Sequence, residues 1–399
     1  MHPDLRKNRI EIIDILRGFA LLGIIIVHFT EQYYAGQPPQ VHADMMASSL
    51  GDQIVMGFIG ALVQGKFYMI FSFLFGLSFF IQLDQSDHSG RFALRFAWRL
   101  IVLFVIGFLH HLHYRGDILT IYAALGFVLL LSYKLPDKFL LILSLLLIAN
   151  IPSMVVRLYD GFTGGSSIPN ADQAVLLKYF DTLKSGSYSS ILHANAGEFI
   201  TKFHFQVSSG RIYITTGLFL LGLLVGRKKF FERWREQPAV VKRLMKTSLW
   251  TLLGCILFSL AFFGGTTAMK IEMNQSFQYA AGGLAYDIFN ACLATFYITG
   301  ILLLYRKERW QKRLTIFYSL GRMGLTTYLV QSFFGVLIFY SFGLGLLGEK
   351  GASVWLTVAL AIFVFQIYFS RWWLGRFRYG FFEWLWRSVT YFEWQKFRK

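Results

Sequence analysis

Residues 12–30 read IIDILRGFALLGIIIVHFT, an apolar stretch with Asp14 and Arg17 near its start and His28 near its end. About 20 apolar residues in an α-helix cross a bilayer, so the stretch predicts a membrane-spanning helix. The spacing of Arg17 and His28 places them on one helix face, about 16 Å apart along the axis. Asp14 lies one turn before Arg17 and can meet it on that face. Charged groups in membrane helices usually face a protein interior or a water-filled cavity, so this helix is predicted to line a polar site.

The composition of the 399 residues extends this prediction to the whole chain. Hydrophobic residues make up 55% and charged residues 15%, with a mean hydropathy of +0.49, whereas about 25% of the residues in a soluble domain are charged. No small-residue cleavage site follows the first apolar run, so we expect that run to stay in the membrane as an anchor. Cys255 and Cys292 lie in apolar runs, so neither a disulfide framework nor a cysteine metal cluster is expected. We therefore predict an all-α polytopic membrane protein.

Apolar runs recur along the chain and predict about ten transmembrane helices within a single membrane domain, residues 1–399. The runs cover residues 12–30, 54–83, 92–113, 116–133, 137–157, 209–226, 247–265, 284–305, 314–342 and 352–371. Cytoplasmic loops of membrane proteins carry an excess of lysine and arginine. Alternate segments between these runs contain Arg6, Lys7, Arg9, Arg91, Arg95, Arg99, Lys134, Lys138, a cluster from Arg227 to Lys246, Arg306, Lys307, Arg309, Lys312, Arg313 and a basic end from Arg371 to Lys399. This pattern predicts that both termini are cytoplasmic.

The same pattern accounts for the formal net charge of +17 without nucleic acid, because basic loops lie beside anionic lipid headgroups. Membrane lipids are therefore the expected partners of the basic surface. A homodimer is a further assembly that the sequence leaves open.

Two segments outside the apolar runs have their own patterns. Residues 158–208 form a long outer loop, with a turn-rich start and two stretches, 173–184 and 189–207, that read as short amphipathic helices. Such a segment acts either as a lid or binding loop or as a solvated connector. Residues 372–399 alternate large aromatic and basic residues, which is typical of an amphipathic helix in the cytoplasmic interface.

Most of the nine histidines fall at or near the outer side in this topology. They are His28, His42, His110, His111, His113, His193 and His204. A histidine at the outer end of a polar path is suited to remove a proton from an alcohol or an amine near neutral pH. The alternative for each is an interfacial or hydrogen-bonded structural residue, and this alternative is favoured for His42, His113, His193 and His204. His28 is the first candidate for a general base, because it shares a helix face with Arg17.

The sequence HHLHYRGDILTIYAALG places His110, His111 and Asp117 on or beside a short outer turn. A carboxylate there can orient a histidine for catalysis. Aspartate is also a favoured residue for capping the start of a helix. Both roles for Asp117 remain open.

Three arginines are candidates for binding phosphate from the cytoplasmic side. Arg95 and Arg99 are one turn apart at the inner end of the run 92–113, and Arg322 lies near the start of the run 314–342. The arginine fork suits phosphate oxygens. Lipid headgroups are the alternative ligands for such residues.

Several stretches resemble known membrane proteins. DILRGFALLGIIIVH is similar to the first-helix signature of membrane acyltransferases that modify surface sugars. The segments GDILTIYAALG, GKFYMIFSFLFGLSF, GRIYITTGLFLLGLLVGR, GRMGLTTYLVQS and RYGFFEWLWRSVTY resemble the YeiB-like family of bacterial multi-pass membrane proteins, whose domain has long been labelled as of unknown function. Related proteins are expected to include heparan-α-glucosaminide N-acetyltransferase and bacterial sugar O-acetyltransferases.

This resemblance implies an acyltransferase of the bacterial cytoplasmic membrane. It would take an acyl group, expected to be acetyl, from cytoplasmic acyl-CoA and transfer it to a sugar-like acceptor on the outer side, with no metal. Arg17 and His28 would be the first-helix pair of that family. The main alternative is a small-solute or lipid transporter that uses the same polar path. A haem or quinol protein that uses paired histidines is a third class.

Overall fold

The computed structural model describes residues 10–86, 90–165 and 172–399, most of which are α-helical. Within these ranges there is no β-strand, and one isolated bridge joins Phe377 to Arg398. The helices are α1 Glu11–Thr30, α2 Gln40–Met46, α3 Leu50–Leu62, α4 Phe67–Asp84, α5 Gly90–His113, α6 Leu119–Ser132, α7 Asp137–Ile148, α8 Ile151–Thr163, α9 Gln173–Ser185, α10 Tyr188–Ser208, α11 Arg211–Arg227, α12 Phe230–Arg233, α13 Pro238–Ala268, α14 Gln275–Tyr305, α15 Glu308–Leu314, α16 Tyr318–Arg322, α17 Gly324–Phe339, α18 Ala352–Arg376 and α19 Phe381–Tyr391. The prediction of an all-α protein is confirmed.

Long apolar helices confirm that the protein is a multi-pass membrane protein. Six stretches are long and apolar enough to span a bilayer, namely α1, α3 with α4, α5, α13, α14 and α18. Three further helix pairs are long and apolar enough to span a bilayer only when the two helices are counted together. The helices of each pair are bent relative to each other, by 46° for α7 and α8, by 71° for α10 and α11, and by 80° for the segment Glu308–Arg322 and α17. The described ranges therefore contain six to nine candidate spans rather than the expected ten. When each bent pair is counted as one span, the predicted run that remains without a span is the one containing α6, whose 14 residues extend only about 21 Å, less than the apolar thickness of a bilayer.

Basic loops assigned to the cytoplasmic side meet at one end of the molecule. Arg227 donates to the carbonyl oxygen of Leu135 at 2.7 Å, and its Nη1 atom lies 3.0 Å from the Asp137 carboxylate. Arg306 donates to the carbonyl oxygen of Arg235 at 2.9 Å, which joins a third basic loop to the second. Three loops predicted on one side of the membrane are thus connected in a row. The residues expected to hold the N-terminus inside, Arg6, Lys7 and Arg9, lie outside the described residues.

Helix α1 lies at the centre of the fold, where two glycines allow a very close helix crossing. A Cβ atom on Gly18 would lie 2.1 Å from the carbonyl oxygen of Phe317, and one on Gly321 would lie 1.8 Å from that of Asp14. Only a hydrogen atom fits in these places, so the backbone of α1 directly contacts the backbone around α16. Helix α1 also packs against α4, α17 and α18, which buries most of its side chains.

Replacing Gly321 with alanine should lower the melting temperature of the purified protein. The added methyl group would overlap the backbone of α1, and overpacking of this kind costs about 1–3 kcal/mol or more. Gly254→Ala on α13 is the matched control, because none of the described atoms lies within 4 Å of its Cβ position. Thermal unfolding in detergent measures both variants. Equal melting temperatures for the two would show that the crossing is not tightly packed.

The outer segment predicted at residues 158–208 is mostly helical where it is described. Helix α8 continues to Thr163, beyond the predicted end of its run at residue 157, and residues 166–171 lie outside the described ranges. The two predicted amphipathic stretches correspond to α9 and α10. Helix α10 packs against α5 and α11, so it forms part of the helix assembly rather than a loose connector.

The C-terminal segment begins later than predicted, because α18 extends to Arg376 and α19 follows as a separate amphipathic helix. Glu383 of α19 accepts hydrogen bonds from the backbone amides of Leu325 (2.7 Å) and Thr326 (3.0 Å). Its carboxylate thus satisfies orphan amides at the start of α17, just after the sharp bend. Burial raises the pKa of Glu383, although these hydrogen bonds oppose the shift. The tail therefore fastens the broken helix at that end of the molecule.

Candidate active site

A cavity of about 1130 Å³ runs along α1 and is lined by both Arg17 and His28. Its other walls include residues of α4, α5, α6, α8, α10, α11, α16, α17 and α19. Because Arg17 and His28 belong to one straight run of helix, the cavity extends at least about 16 Å along it. The helix face shared by Arg17 and His28, which their spacing predicts, therefore forms part of the cavity wall.

Arg17 is held at one end of the cavity by three polar contacts. Its Nη1 atom donates to Asp14 Oδ1 at 2.6 Å and to the carbonyl oxygen of Gly321 at 3.2 Å. Its Nη2 atom donates to Ser78 Oγ at 3.0 Å. Asp14 is buried and forms the ion pair with Arg17, but it does not belong to the cavity wall. Arg17 is therefore a fixed cation that faces the cavity.

The three arginines proposed for phosphate binding occupy different places. Arg99 lines the cavity, with its guanidinium 3.8 Å from the centre of the Trp386 ring, and Arg322 also lines the cavity. Arg95 lies against Tyr391, is exposed and is not part of the cavity wall. The structure thus brings Arg99 and Arg322 together with Arg17 at one cavity and leaves Arg95 on the surface.

His28 lies near the other end of this stretch of cavity and is surrounded by tyrosines. The ring centres of Tyr33 and Tyr114 are 5.4 Å from that of His28, and the ring centre of Tyr328 is 6.3 Å away. The Nδ1 atom of His28 is buried and has no hydrogen-bond partner among the described residues. A buried polar atom without a partner is costly, and a catalytic role is one reason for a protein to retain it.

Asp117 and His110 form a hydrogen-bonded pair next to His28. The Nδ1 atom of His110 lies 2.8 Å from Asp117 Oδ1, and its ring packs 5.2 Å from Tyr328, which also contacts His28. Although burial alone would raise the pKa of Asp117, the contact with His110 holds that pKa below its usual value. Asp117 therefore faces the cavity as a carboxylate, whereas His110 is not part of the cavity wall.

Asp117 also caps helix α6. It accepts hydrogen bonds from the backbone amides of Leu119 at 3.1 Å and Thr120 at 2.9 Å, and from the Thr120 hydroxyl at 2.7 Å. The two roles left open by the sequence, a partner for histidine and a helix cap, are compatible in one side chain. Each of its oxygen atoms has a defined donor.

Lys202 of α10 is a site residue that the sequence did not reveal. Its Nζ atom donates to Thr120 Oγ1 at 2.7 Å, and it lies 3.2 Å from His111 Nδ1 and 3.7 Å from Asp117 Oδ2. His111 is fully buried, and its Nε2 atom lies 2.8 Å from the carbonyl oxygen of Asn195. His111 thus contacts the site through Lys202 and does not line the cavity.

The side chains of this site suit acid–base chemistry and the binding of anions. Within the ranges that the structure describes, no group of three or more His, Cys, Asp or Glu residues is placed to hold a metal ion. Cys255 and Cys292 are free thiols on α13 and α14.

The fold and the site define a multi-pass α-helical membrane protein with a large polar cavity among its helices. A family profile described as "Protein of unknown function (DUF418)" matches residues 225–393. Uncharacterized protein YxaH of Bacillus subtilis is 30% identical, and the match covers 100% of this chain and 98% of YxaH. The chain therefore belongs to the YeiB-like family, and the resemblance of its motifs to that family is confirmed.

Two further relatives match over nearly their whole lengths. Uncharacterized protein YeiB of Escherichia coli is 24% identical, over 95% of both chains. An uncharacterized 39.9 kDa protein in the amylase 3′ region of Bacillus acidopullulyticus is 28% identical, over 98% of this chain and 96% of its own. No solved structure matches the chain.

Proposed function

We propose that this protein is a transmembrane acyltransferase of the bacterial cytoplasmic membrane. It moves an acyl group, expected to be acetyl, from cytoplasmic acyl-CoA to a hydroxyl or amine of a sugar-like acceptor on the outer side. The observation that carries the proposal is the cavity that extends along α1 from Arg17 to His28. Arg17, Arg99 and Arg322 line one part of this stretch, and His28 and Asp117 line the other, where Arg115 and Lys202 are also found. A donor with phosphates requires the arginines, and an acceptor with a weakly acidic proton requires a histidine about one donor length away.

The arginine end fits the nucleotide part of an acyl-CoA. Arg17, Arg99 and Arg322 all face the cavity there, and guanidinium groups bind phosphate oxygens through paired hydrogen bonds. An extended pantetheine arm spans roughly 15 to 20 Å, and the rise of α1 from Arg17 to His28 is about 16 Å. A donor whose phosphates lie among these arginines would therefore bring its thioester to His28.

The histidine end fits the transfer step. His28 would accept the proton of the acceptor hydroxyl or amine while the acceptor oxygen or nitrogen attacks the thioester carbonyl carbon. The carbon–sulfur bond then breaks, CoA leaves as a thiolate, and the proton held by His28 converts it to the thiol. The Asp117–His110 pair lies next to this centre, where the Asp117 carboxylate would fix the orientation of the His110 ring.

Removing an inner arginine should weaken donor binding selectively. We expect Arg99→Ala and Arg322→Ala each to raise the KM for acetyl-CoA about tenfold, because each would lose a charge-assisted hydrogen bond to phosphate. The KM for the acceptor should change little. Arg95→Ala is the matched control, since Arg95 lies outside the cavity at the same end of α5. An equal rise in the KM for acetyl-CoA in Arg95→Ala would show that the effect comes from surface charge and not from the cavity.

The direct test of the proposed function is an acyl-transfer assay with the purified protein in liposomes. The protein is incubated with labelled acetyl-CoA and a panel of amino sugars, sugars and glycolipids. We expect labelled product and free CoA in equal amounts. Movement of a solute across the membrane without CoA release would support the transporter instead.

The bent helices favour this second candidate function. Helix pairs that break by 71° at α10 and α11 and by 80° before α17 contribute residues to the cavity wall. Discontinuous helices around a central site are typical of secondary transporters. The acyltransferase accounts better for the arrangement of His28, His110 and Asp117, because transport requires no general base.

A further inference from the structure

Residues of α8 and α10 line one part of the cavity wall. Residues 204–208, at the end of α10, all line it. Successive residues of a helix point about 100° apart, so a cavity that touches five in a row surrounds the end of that helix. Helix α8 packs against α7 and α14, whereas α10 packs against α5, α9 and α11. Among the described residues these two helices are not closely packed against each other, and both line the cavity, so we interpret the space between them as a lateral opening.

The rim of this opening includes exposed apolar side chains. Val156 of α8 and Phe205 of α10 both line the cavity, and they are 46% and 39% exposed. Beside them, Val155 and Tyr159 of α8 project from the protein surface. Such a rim suits the hydrocarbon chain of a lipid and disfavours entry by a fully water-soluble sugar.

Helix geometry places the opening near the outer boundary of the bilayer. Helix α11 runs for 17 residues from Arg211 to Arg227, which is about 25 Å, and the hydrocarbon core is about 30 Å thick. Arg227 belongs to the basic end assigned to the cytoplasm. Arg211 therefore lies close to the level of the outer lipid headgroups.

Two guanidinium groups face the cavity at this level. Arg157 and Arg211 both line it, and neither forms an ion pair with a carboxylate among the described residues. Two carboxylates lie near enough for these charges to act on them, namely Glu31, which accepts a hydrogen bond from Gln64 at 3.0 Å, and Asp287, which accepts one from Asn150 at 2.9 Å. Arg157 donates a hydrogen bond to the carbonyl oxygen of Tyr279 at 3.3 Å. The opening therefore offers two arginines for an anion.

The opening also lies close to the proposed reaction centre. Glu31 follows His28 by less than one turn and lines the same cavity. Burial raises the pKa of Glu31 to about 6, although the charge of Arg211 opposes this shift. The guanidinium of Arg211 is thus near enough to the end of α1 for its charge to act on Glu31.

From these observations we infer that the acceptor is a phosphate-bearing lipid of the outer leaflet, which enters sideways between α8 and α10 and binds through its phosphate to Arg157 and Arg211. The role of the lipid as acyl acceptor rests on the proposed function, whereas its binding to Arg157 and Arg211 does not. The hydrocarbon chain stays at the apolar rim, and the headgroup extends towards His28. The reacting hydroxyl or amine then belongs to the headgroup.

Photo-crosslinking tests the binding step without any enzyme assay. The full-length protein is placed in phosphatidylcholine vesicles that contain phosphatidylglycerol with a diazirine in its acyl chain. We expect crosslinks near Val156 and Phe205, and about tenfold weaker crosslinking in Arg157→Ala and Arg211→Ala, the effect of one lost charge-assisted hydrogen bond. Arg211→Lys keeps the positive charge and should retain part of the crosslinking signal. A retained signal would show that substitution at this position leaves the fold intact. Lys270→Gln is the control, because Lys270 is exposed in the α13–α14 loop, away from the cavity.

A second measurement separates this inference from the proposed function. Labelled acetyl-CoA is supplied with a bacterial lipid extract or with water-soluble sugars, and the label is followed into organic and aqueous phases. Label in the organic phase supports the inference. Labelled product found only among the water-soluble sugars, or crosslinking unaffected by the arginine substitutions, would overturn it. Arginine-dependent crosslinking with no transfer to any acceptor would support the lipid site and contradict the acyltransferase.

Discussion

Replacing His28 with alanine should reduce the rate of acyl transfer by a factor of about 100 to 10,000, which is the usual contribution of a general base. The fold should persist, because the substitution removes ring contacts with tyrosines but no hydrogen bond of Nδ1, which has no partner among the described residues. Binding of acyl-CoA should also persist, since the proposed phosphate contacts lie at the arginine end. The measurements are kcat in reconstituted vesicles and the Kd for CoA.

A second histidine provides the matched control for this prediction. His193 lies on α10, is exposed and does not line the cavity. His193→Ala should therefore transfer acyl groups at the wild-type rate. Turnover near the wild-type rate in His28→Ala would remove His28 from the mechanism.

Replacing Asp117 with alanine should lower the free energy of unfolding by about 3–5 kcal/mol, the typical loss when one member of a buried ion pair is removed. Asp117 is buried, and Lys202 loses its carboxylate partner in the variant. The first amides of α6 also lose their acceptor. Chemical or thermal unfolding in detergent measures the loss.

The double variant Asp117→Ala/Lys202→Met separates charge from capping. Removing the lysine charge should restore part of the lost stability, because no uncompensated cation stays buried. Asp117→Asn should be less damaging than Asp117→Ala, since an amide oxygen can still accept from the α6 backbone. A free energy of unfolding for Asp117→Ala within about 0.5 kcal/mol of the wild-type value, the size of an ordinary surface effect, would show that the contacts of Asp117 with Lys202 and the start of α6 do not stabilise the fold.

Features within a single helix were predictable from the sequence. Arg17 and His28 share a cavity wall because helical periodicity alone puts them on one face. The amphipathic stretches of the outer segment became α9 and α10 for the same reason. The ion pair of Asp14 with Arg17 also follows from their spacing within one turn.

Features that depend on packing between helices were not predictable in this way. Spacing puts Arg95 and Arg99 on one face, and both lie against α19, but only Arg99 also reaches the cavity. Lys202 joins Asp117 across 85 positions of sequence, and nothing around it in α10 marks it as buried. The break before α17 depends on Glu383, which is contributed by the C-terminal helix. Local patterns carry no information about such distant partners.

The most direct test of the account is a structure of the protein with bound CoA. We predict that the adenosine phosphates lie against Arg99 and Arg322 and that the pantetheine arm runs along α1, with its sulfur near His28. Phosphates bound at the opposite end, beside Arg157 and Arg211, or a CoA molecule outside the cavity would contradict the proposed path of acyl transfer.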